Sequence, residues 1–192
     1  MFGYWVGLIP RTCSHFILPM IWERSPRKAI LIPFRVDNFR KTIIWSFGGA
    51  AAAAISITSV YFLIQSKLDP DQIRQGVNEF YEINIPMYLA VGFVISFINP
   101  LMEEFFWRGF LFRKYREHGG GIWVGLLFAL HHWVIFRDWF EPIPLWISLF
   151  SLAGVGLLFN CLYQKTGNLW ACLTTHCAAD ITIIVIGYFI LF

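Results

Sequence analysis

Three apolar runs of this chain carry ionisable side chains where none is needed for burial. "NPLMEEFFWRGFLFRK", residues 99–114, holds Glu103, Glu104 and Arg108. "LLFALHHWVIF" holds His131 and His132, and "LWACLTTHCAADITIIV" holds His176 and Asp180. A carboxylate and an imidazole that converge in a low-dielectric cavity suit the activation of water, because partial desolvation brings the carboxylate toward general-base strength. A second histidine beside an aspartate can hold a developing oxyanion or protonate a leaving amine. The same groups, Glu103, His132 and His176 above all, can instead ligate a divalent metal such as zinc. The His-Glu-x-x-His helix of zinc hydrolases is absent from the sequence.

Helical spacing sorts these residues. Glu104 and Arg108 are four apart and share a face, so they can pair. Glu103 is turned about 100° from Glu104 on a 3.6-residue helix and can address another group. Asn99 lies one turn before Glu103 on the same face and is a candidate hydrogen-bond partner. His176 and Asp180 again face one direction, and Phe128 at four residues before His132 sets an aromatic wall beside that imidazole. His131, adjacent to His132, is a further candidate for the same role.

The elements that must position these groups are membrane spans. The chain of 192 residues is 57% hydrophobic and only 14% charged, with a mean hydropathy of +0.59. One soluble core cannot hide that surplus, and most of the chain must meet lipid. Five long apolar stretches stand out, roughly 42–64, 83–112, 121–137, 143–163 and 168–192, the third being short. Residues 1–22 are apolar but interrupted by Pro10, Arg11, His15 and Pro19, so they are a sixth span, a re-entrant piece or an interfacial helix. The expectation is an all-α polytopic transmembrane bundle of five or six spans. Its parts are a membrane-associated segment with a basic loop (1–41), a first clear span with its following loop (42–82), and a four-helix core (83–192).

Loop charge sets the orientation. Segment 23–41 carries Arg24, Arg27, Lys28, Arg35, Arg40 and Lys41 against Glu23 and Asp37. "SKLDPDQIRQGVNEFYE" is acid-rich, "RKYREH" is basic again, and Lys165 sits in the last turn that carries charge. The positive-inside rule then places 23–41 in the cytoplasm and the C-terminus outside. At 1.5 Å rise per residue, Glu103 lies ~15 Å from Arg113, His132 ~16 Å from Gly121, and His176 ~12 Å from Asn168. All three are measured from the cytoplasmic side, so the groups can share one plane and one polar cavity.

At these residues the sequence resembles the CPBP family of intramembrane proteases, which includes type II CAAX prenyl endopeptidases and bacteriocin-processing or self-immunity proteins. The E-E-x-x-x-R motif is matched by Glu103, Glu104 and Arg108, F-x-x-x-H by Phe128 and His132, and H-x-x-x-N/D by His176 and Asp180. The resemblance covers residues ~85–190, four spans in the right order. It implies that Glu103 and His132 activate the attacking water. His176 and Asp180 would stabilise the oxyanion, with Glu104, Arg108 and Phe128 ordering the site. It leaves open whether a metal takes part. Its implied partners are membrane lipids and a protein or peptide substrate: a membrane protein's terminal segment, a lipidated tail or a leader peptide.

Other readings stand beside this one. A non-catalytic binding, immunity or scaffold protein would retain the polar cavity as a binding site. An ion-coupled transporter would use intramembrane Glu, His and Asp as a path, but the chain lacks repeated halves. The basic segment reads as a membrane-proximal loop, and nothing points to nucleic acid. Trp107, Trp123, Trp139, Trp146 and Trp170 read as interfacial anchors, and "GGAAAAAIS" at 48–56 as a close helix–helix contact. Cys13, Cys161, Cys172 and Cys177 read as buried thiols, His15 and His118 as surface residues, and Asn160 as a cap or packing group. The first residues show no early positive region or small-residue cleavage site, which argues against a removable signal peptide.

Overall fold

The computed structural model describes residues 15, 17–22, 31–78, 84–137 and 140–192, with the side chains of His118 and Ile135 outside that set. All regular elements among the described residues are helices. We number the principal ones α1 (Phe39–Ile64), α2 (Pro70–Asn78), α3 (Ile85–Tyr115), α4 (Gly120–Phe136), α5 (Pro142–Thr166) and α6 (Trp170–Leu191). Residues 17–22 and 31–34 are also helical.

Local chemistry sets the helix starts. Asn38 caps α1 by accepting the Lys41 N–H at 2.9 Å, and Asn84 caps α3 by accepting that of Met87 at 2.9 Å. Pro142 enters α5 in its first turn, where a missing N–H costs nothing.

Helices α1, α3, α5 and α6 are each long and apolar enough to cross a membrane, and α4 is a shorter apolar helix. Only 17% of the most apolar window of α1, α3 and α6 is buried inside the protein, so the rest of those apolar surfaces must face hydrocarbon. Phe47, Phe62, Phe93, Phe150 and Phe189 are among the outward side chains. The chain is an integral membrane protein of the expected all-α class. Its 17-residue α4 measures ~25 Å at the helical rise, below the ~30 Å hydrocarbon thickness.

Helix α6 packs against α1, α3 and α5, while α4 lies along α5. The α4–α5 crossing is made by glycine: a Cβ on Gly156 would stand 2.7 Å from the Gly125 carbonyl oxygen. Between α1 and α6 the small-residue stretch works as expected, with Gly49 against Thr175 and Ala53 fully buried. Phe112, Phe128, Phe159, Leu162 and Leu169 centre the apolar interior.

The chain ahead of α1 is fastened to the α5–α6 turn. Leu169 N–H donates to the Pro33 carbonyl at 2.8 Å, Trp170 Nε1 to Phe34 at 3.1 Å, and the buried Asn168 side chain to Thr42 Oγ1 at 2.9 Å. At the other end, Arg74 of α2 donates to the Ile190 and Leu191 carbonyls, which the end of α6 leaves without helical partners.

Helix α3 is not uniform. Two π turns interrupt it, Val94–Ile98 and Phe105–Phe112, and the Asn99 N–H reaches back five residues to the Val94 carbonyl. Pro100 supplies the reason for the first. Its ring would clash with the Ser96 carbonyl in a regular helix, and the wider turn relieves that clash.

Candidate active site

Helices α3, α4, α5 and α6 bring the expected residues into one interior cluster. Glu103 and Glu104 are each 1% exposed and Arg108 is fully buried, at a depth where a lone charge would be prohibitive. The structure answers that cost with partners. Arg108 Nη1 donates to Glu104 Oε1 at 2.9 Å, Nε to Asn160 Oδ1 at 3.2 Å, and Nη2 to the Gly156 carbonyl at 3.0 Å. Its guanidinium lies over both the Phe128 and Phe159 rings, 4.6 and 4.8 Å from their centroids. Asn160, read from the sequence as a packing polar group, is buried and completes the link by donating to the Gly121 carbonyl of α4.

Glu104 does more than neutralise Arg108. Its Oε1 also receives His176 Nδ1 at 2.8 Å, so His176 donates from Nδ1 and turns Nε2 toward Asp180 Oδ2, 3.7 Å away. The i,i+4 relation of His176 and Asp180 holds. His176, however, is anchored by Glu104 rather than turned to Glu103, because the interior face of α6 meets α3 at Glu104.

Glu103 is bracketed. Asn99 Nδ2 donates to its Oε1 at 3.1 Å, and His131 Nε2 stands 3.9 Å from the same oxygen. His132 Nε2 faces the other oxygen, Oε2, at 3.8 Å. His132 Nδ1 lies 2.8 Å from the Phe128 carbonyl, which can only accept, so Nδ1 carries the proton and Nε2 the lone pair in the neutral ring. Phe128, 1% exposed, separates the two halves of the cluster, its centroid 4.6 Å from the His132 ring and 5.8 Å from that of His176.

Glu103, His132 and His176 do not form one three-ligand metal set. His176 is committed to Glu104 and Asp180, away from Glu103 and His132, and among the described residues no group of three or more His, Cys, Asp or Glu side chains is disposed to hold a metal ion.

Several sequence expectations are corrected. Trp107 is 6% exposed and packs on Phe128 and His131, an interior wall of the site rather than an interfacial anchor; Trp123, Trp146 and Trp170 are exposed. His15 is 8% exposed and lies against Phe106, Trp107 and His131 instead of at the surface. Cys161 is exposed and Cys177 half-buried, so only Cys172 among the described thiols is fully buried. Cys13, Trp139 and most of residues 1–22 lie outside the described residues, as does the side chain of His118.

An interior carboxylate flanked by imidazoles on apolar helices defines an integral membrane protein with a buried polar cluster. Residues 85–182, just over half of the chain, match the family model described as type II CAAX prenyl endopeptidase Rce1-like, and the chain belongs to that family of intramembrane proteases. The match takes in every motif residue from Glu103 to Asp180. No curated protein and no solved structure matches the chain.

Proposed function

We propose that this protein is an intramembrane endopeptidase in which Glu103 and His132 activate a water against a peptide bond of a membrane-associated or lipidated protein or leader peptide. The observation that carries the reading is the approach of two acceptors: Glu103 Oε2 and the Nε2 lone pair of His132 stand 3.8 Å apart. A water seated between them and donating one hydrogen to each would have its oxygen lone pairs turned outward for attack. Asn99 steadies Oε1, and Oε2, the oxygen facing His132, is the proton acceptor in this reading.

On the far side of Phe128, His176 is held by Glu104 through Nδ1, and in its imidazolium form, between the carboxylates of Glu104 and Asp180, its Nε2–H would donate to the oxyanion and then pass that proton to the leaving amine. Arg108 acts through Glu104, as a positioning residue. Trp107 Nε1, Glu104 Oε2 and Asp180 Oδ2 are buried without a hydrogen-bond partner among the described residues. Such groups call for a partner, and the N–H and C=O groups of a bound peptide supply one. Because His176 does not join Glu103 and His132, no step is routed through a metal.

The orientation proposed is with Arg35, Arg40, Lys41, Arg113, Lys114, Arg116 and Lys165 at the cytoplasmic face. Contacts between 33–42 and 166–170 support a common end for these segments, and Arg74 against the end of α6 supports an opposite end for the acidic loop. The test compares peptide termini in host membranes expressing wild type or Glu103→Gln at equal levels. Termini present only with wild type are expected. Identical termini, with both proteins inserted, would favour a binding or scaffold protein that keeps the polar cluster.

A further inference from the structure

The family match begins at residue 85, yet one buried imidazole beside the site comes from far upstream. His15 packs at a tilt on Phe106 with ring centroids 4.5 Å apart and meets the His131 ring edge-on at 5.4 Å. Residues 17–22 then run alongside α3 in the same direction, and Trp22 closes over Lys114, whose Nζ lies 3.4 Å from the ring centroid. The segment is thus tied to α3 at both ends, with Pro19 fully buried between them. A purely space-filling role at His15 would be met by an apolar ring, whereas burial of an imidazole is costly without polar company.

We propose that His15 is a positioning residue of the proteolytic site: it fixes the His131 ring, and through it the approach of His131 Nε2 to Glu103 Oε1. This rests on the hydrolytic reading above. His131 and Asn99 address the same oxygen of Glu103, so a His131 ring held in place also fixes the plane of the carboxylate and the aim of Oε2 at His132. The α3–α6 core therefore carries the reacting groups, and His15 completes their alignment.

The test uses the full chain in native membranes and two readouts. Carbethoxylation of histidines by diethyl pyrocarbonate, followed peptide by peptide, reports how well His131 is held and shielded, with or without activity. The appearance of wild-type-specific termini reports catalysis. His15→Phe keeps the packed ring and removes the nitrogens. It is expected to raise His131 labelling several-fold and to slow the production of those termini by roughly 10- to 100-fold. His15→Gln, which keeps a polar group, should fall between Phe and wild type on both readouts. If His15→Phe does not accumulate, His15→Ala is read on the same two measures.

Wild-type labelling of His131 together with wild-type termini in the Phe variant would overturn the proposal and leave His15 a packing residue. Slowed termini with unchanged His131 labelling would also overturn it, since the effect would not pass through His131. If Glu103→Gln yields the same termini as wild type, the hydrolytic reading itself fails. His131 labelling then still decides whether His15 holds that ring.

Discussion

Glu104 of α3 and His176 of α6 meet at 2.8 Å in the interior, and the carboxylate oxygen they share also receives Arg108. One oxygen thus binds together a fully buried guanidinium and the imidazole on the opposite helix. The two halves of the site differ accordingly. His176 is held by a charged scaffold, while His132 is aimed by a backbone carbonyl of its own helix.

That shared oxygen makes Glu104 and His176 act as a unit. Glu104→Gln and His176→Ala should each reduce cleavage strongly, and the double variant should be little worse than His176→Ala alone. Rates of terminus production from the three variants, at matched membrane levels, check this. Multiplicative losses would mean that Glu104 works independently of His176.

Arg108 should matter chiefly to stability. Arg108→Met leaves Glu104 buried without its cation and is expected to destabilise the fold by about 3 to 5 kcal/mol. Adding Glu104→Gln should recover part of that loss. Arg108→Lys should rescue poorly, because an ammonium cannot reach Glu104, Asn160 and the Gly156 carbonyl with one fixed fork. Chemical or thermal unfolding in detergent measures all three.

The α1–α6 contact can be tested through stability alone, on Gly49 and on Thr175 beside His176. A Cβ at Gly49 would overlap Thr175 Oγ1 and stand 3.0 Å from Leu162 Cδ1. Gly49→Ala should cost about 1 to 3 kcal/mol by overpacking. Thr175→Ala in the same chain should relieve most of it. Failure of that rescue would show that the two helices are held apart by something other than this pair.

Chelation addresses the chemistry. With His176 committed to Glu104 and Asp180, cleavage should persist after treatment with 1,10-phenanthroline followed by removal of the chelator into metal-free buffer. Loss of activity restored by added zinc would instead place a metal among Glu103, His131 and His132.

Much of the scaffold is legible in the sequence because bilayer thickness imposes long uninterrupted apolar runs, and the ends of α1, α3, α5 and α6 fall within a few residues of them. The Glu104–Arg108 pair is legible too, since both members lie on one helix at a fixed spacing. Contacts between helices are not. Nothing in the spacing of α6 says whether His176 meets Glu103 or Glu104, and that choice is made by packing. Trp107 was read by its nearness to a span end, whereas its neighbours Arg108 and Phe128 draw it inside. His15 sits in a short, proline-broken stretch with no periodicity to mark a buried face. Pro100 was the available sign of the first π turn in α3; the second, which carries Arg108, has no such marker.

The brevity of α4 bears on the lipid around the protein. A 17-residue apolar helix falls ~5 Å short of the hydrocarbon slab, and its end is marked by Arg137, whose guanidinium lies 5.4 Å from the Trp133 ring centroid. Such a helix draws the two headgroup layers together beside itself. A dent there would lie next to His131 and His132 and would shorten the hydrocarbon barrier that water must cross to reach them. Short-chain lipids that match α4 should relax this deformation, and thick, sterol-rich bilayers should oppose it. The missing turn of helix would thus make membrane thickness a variable of the site.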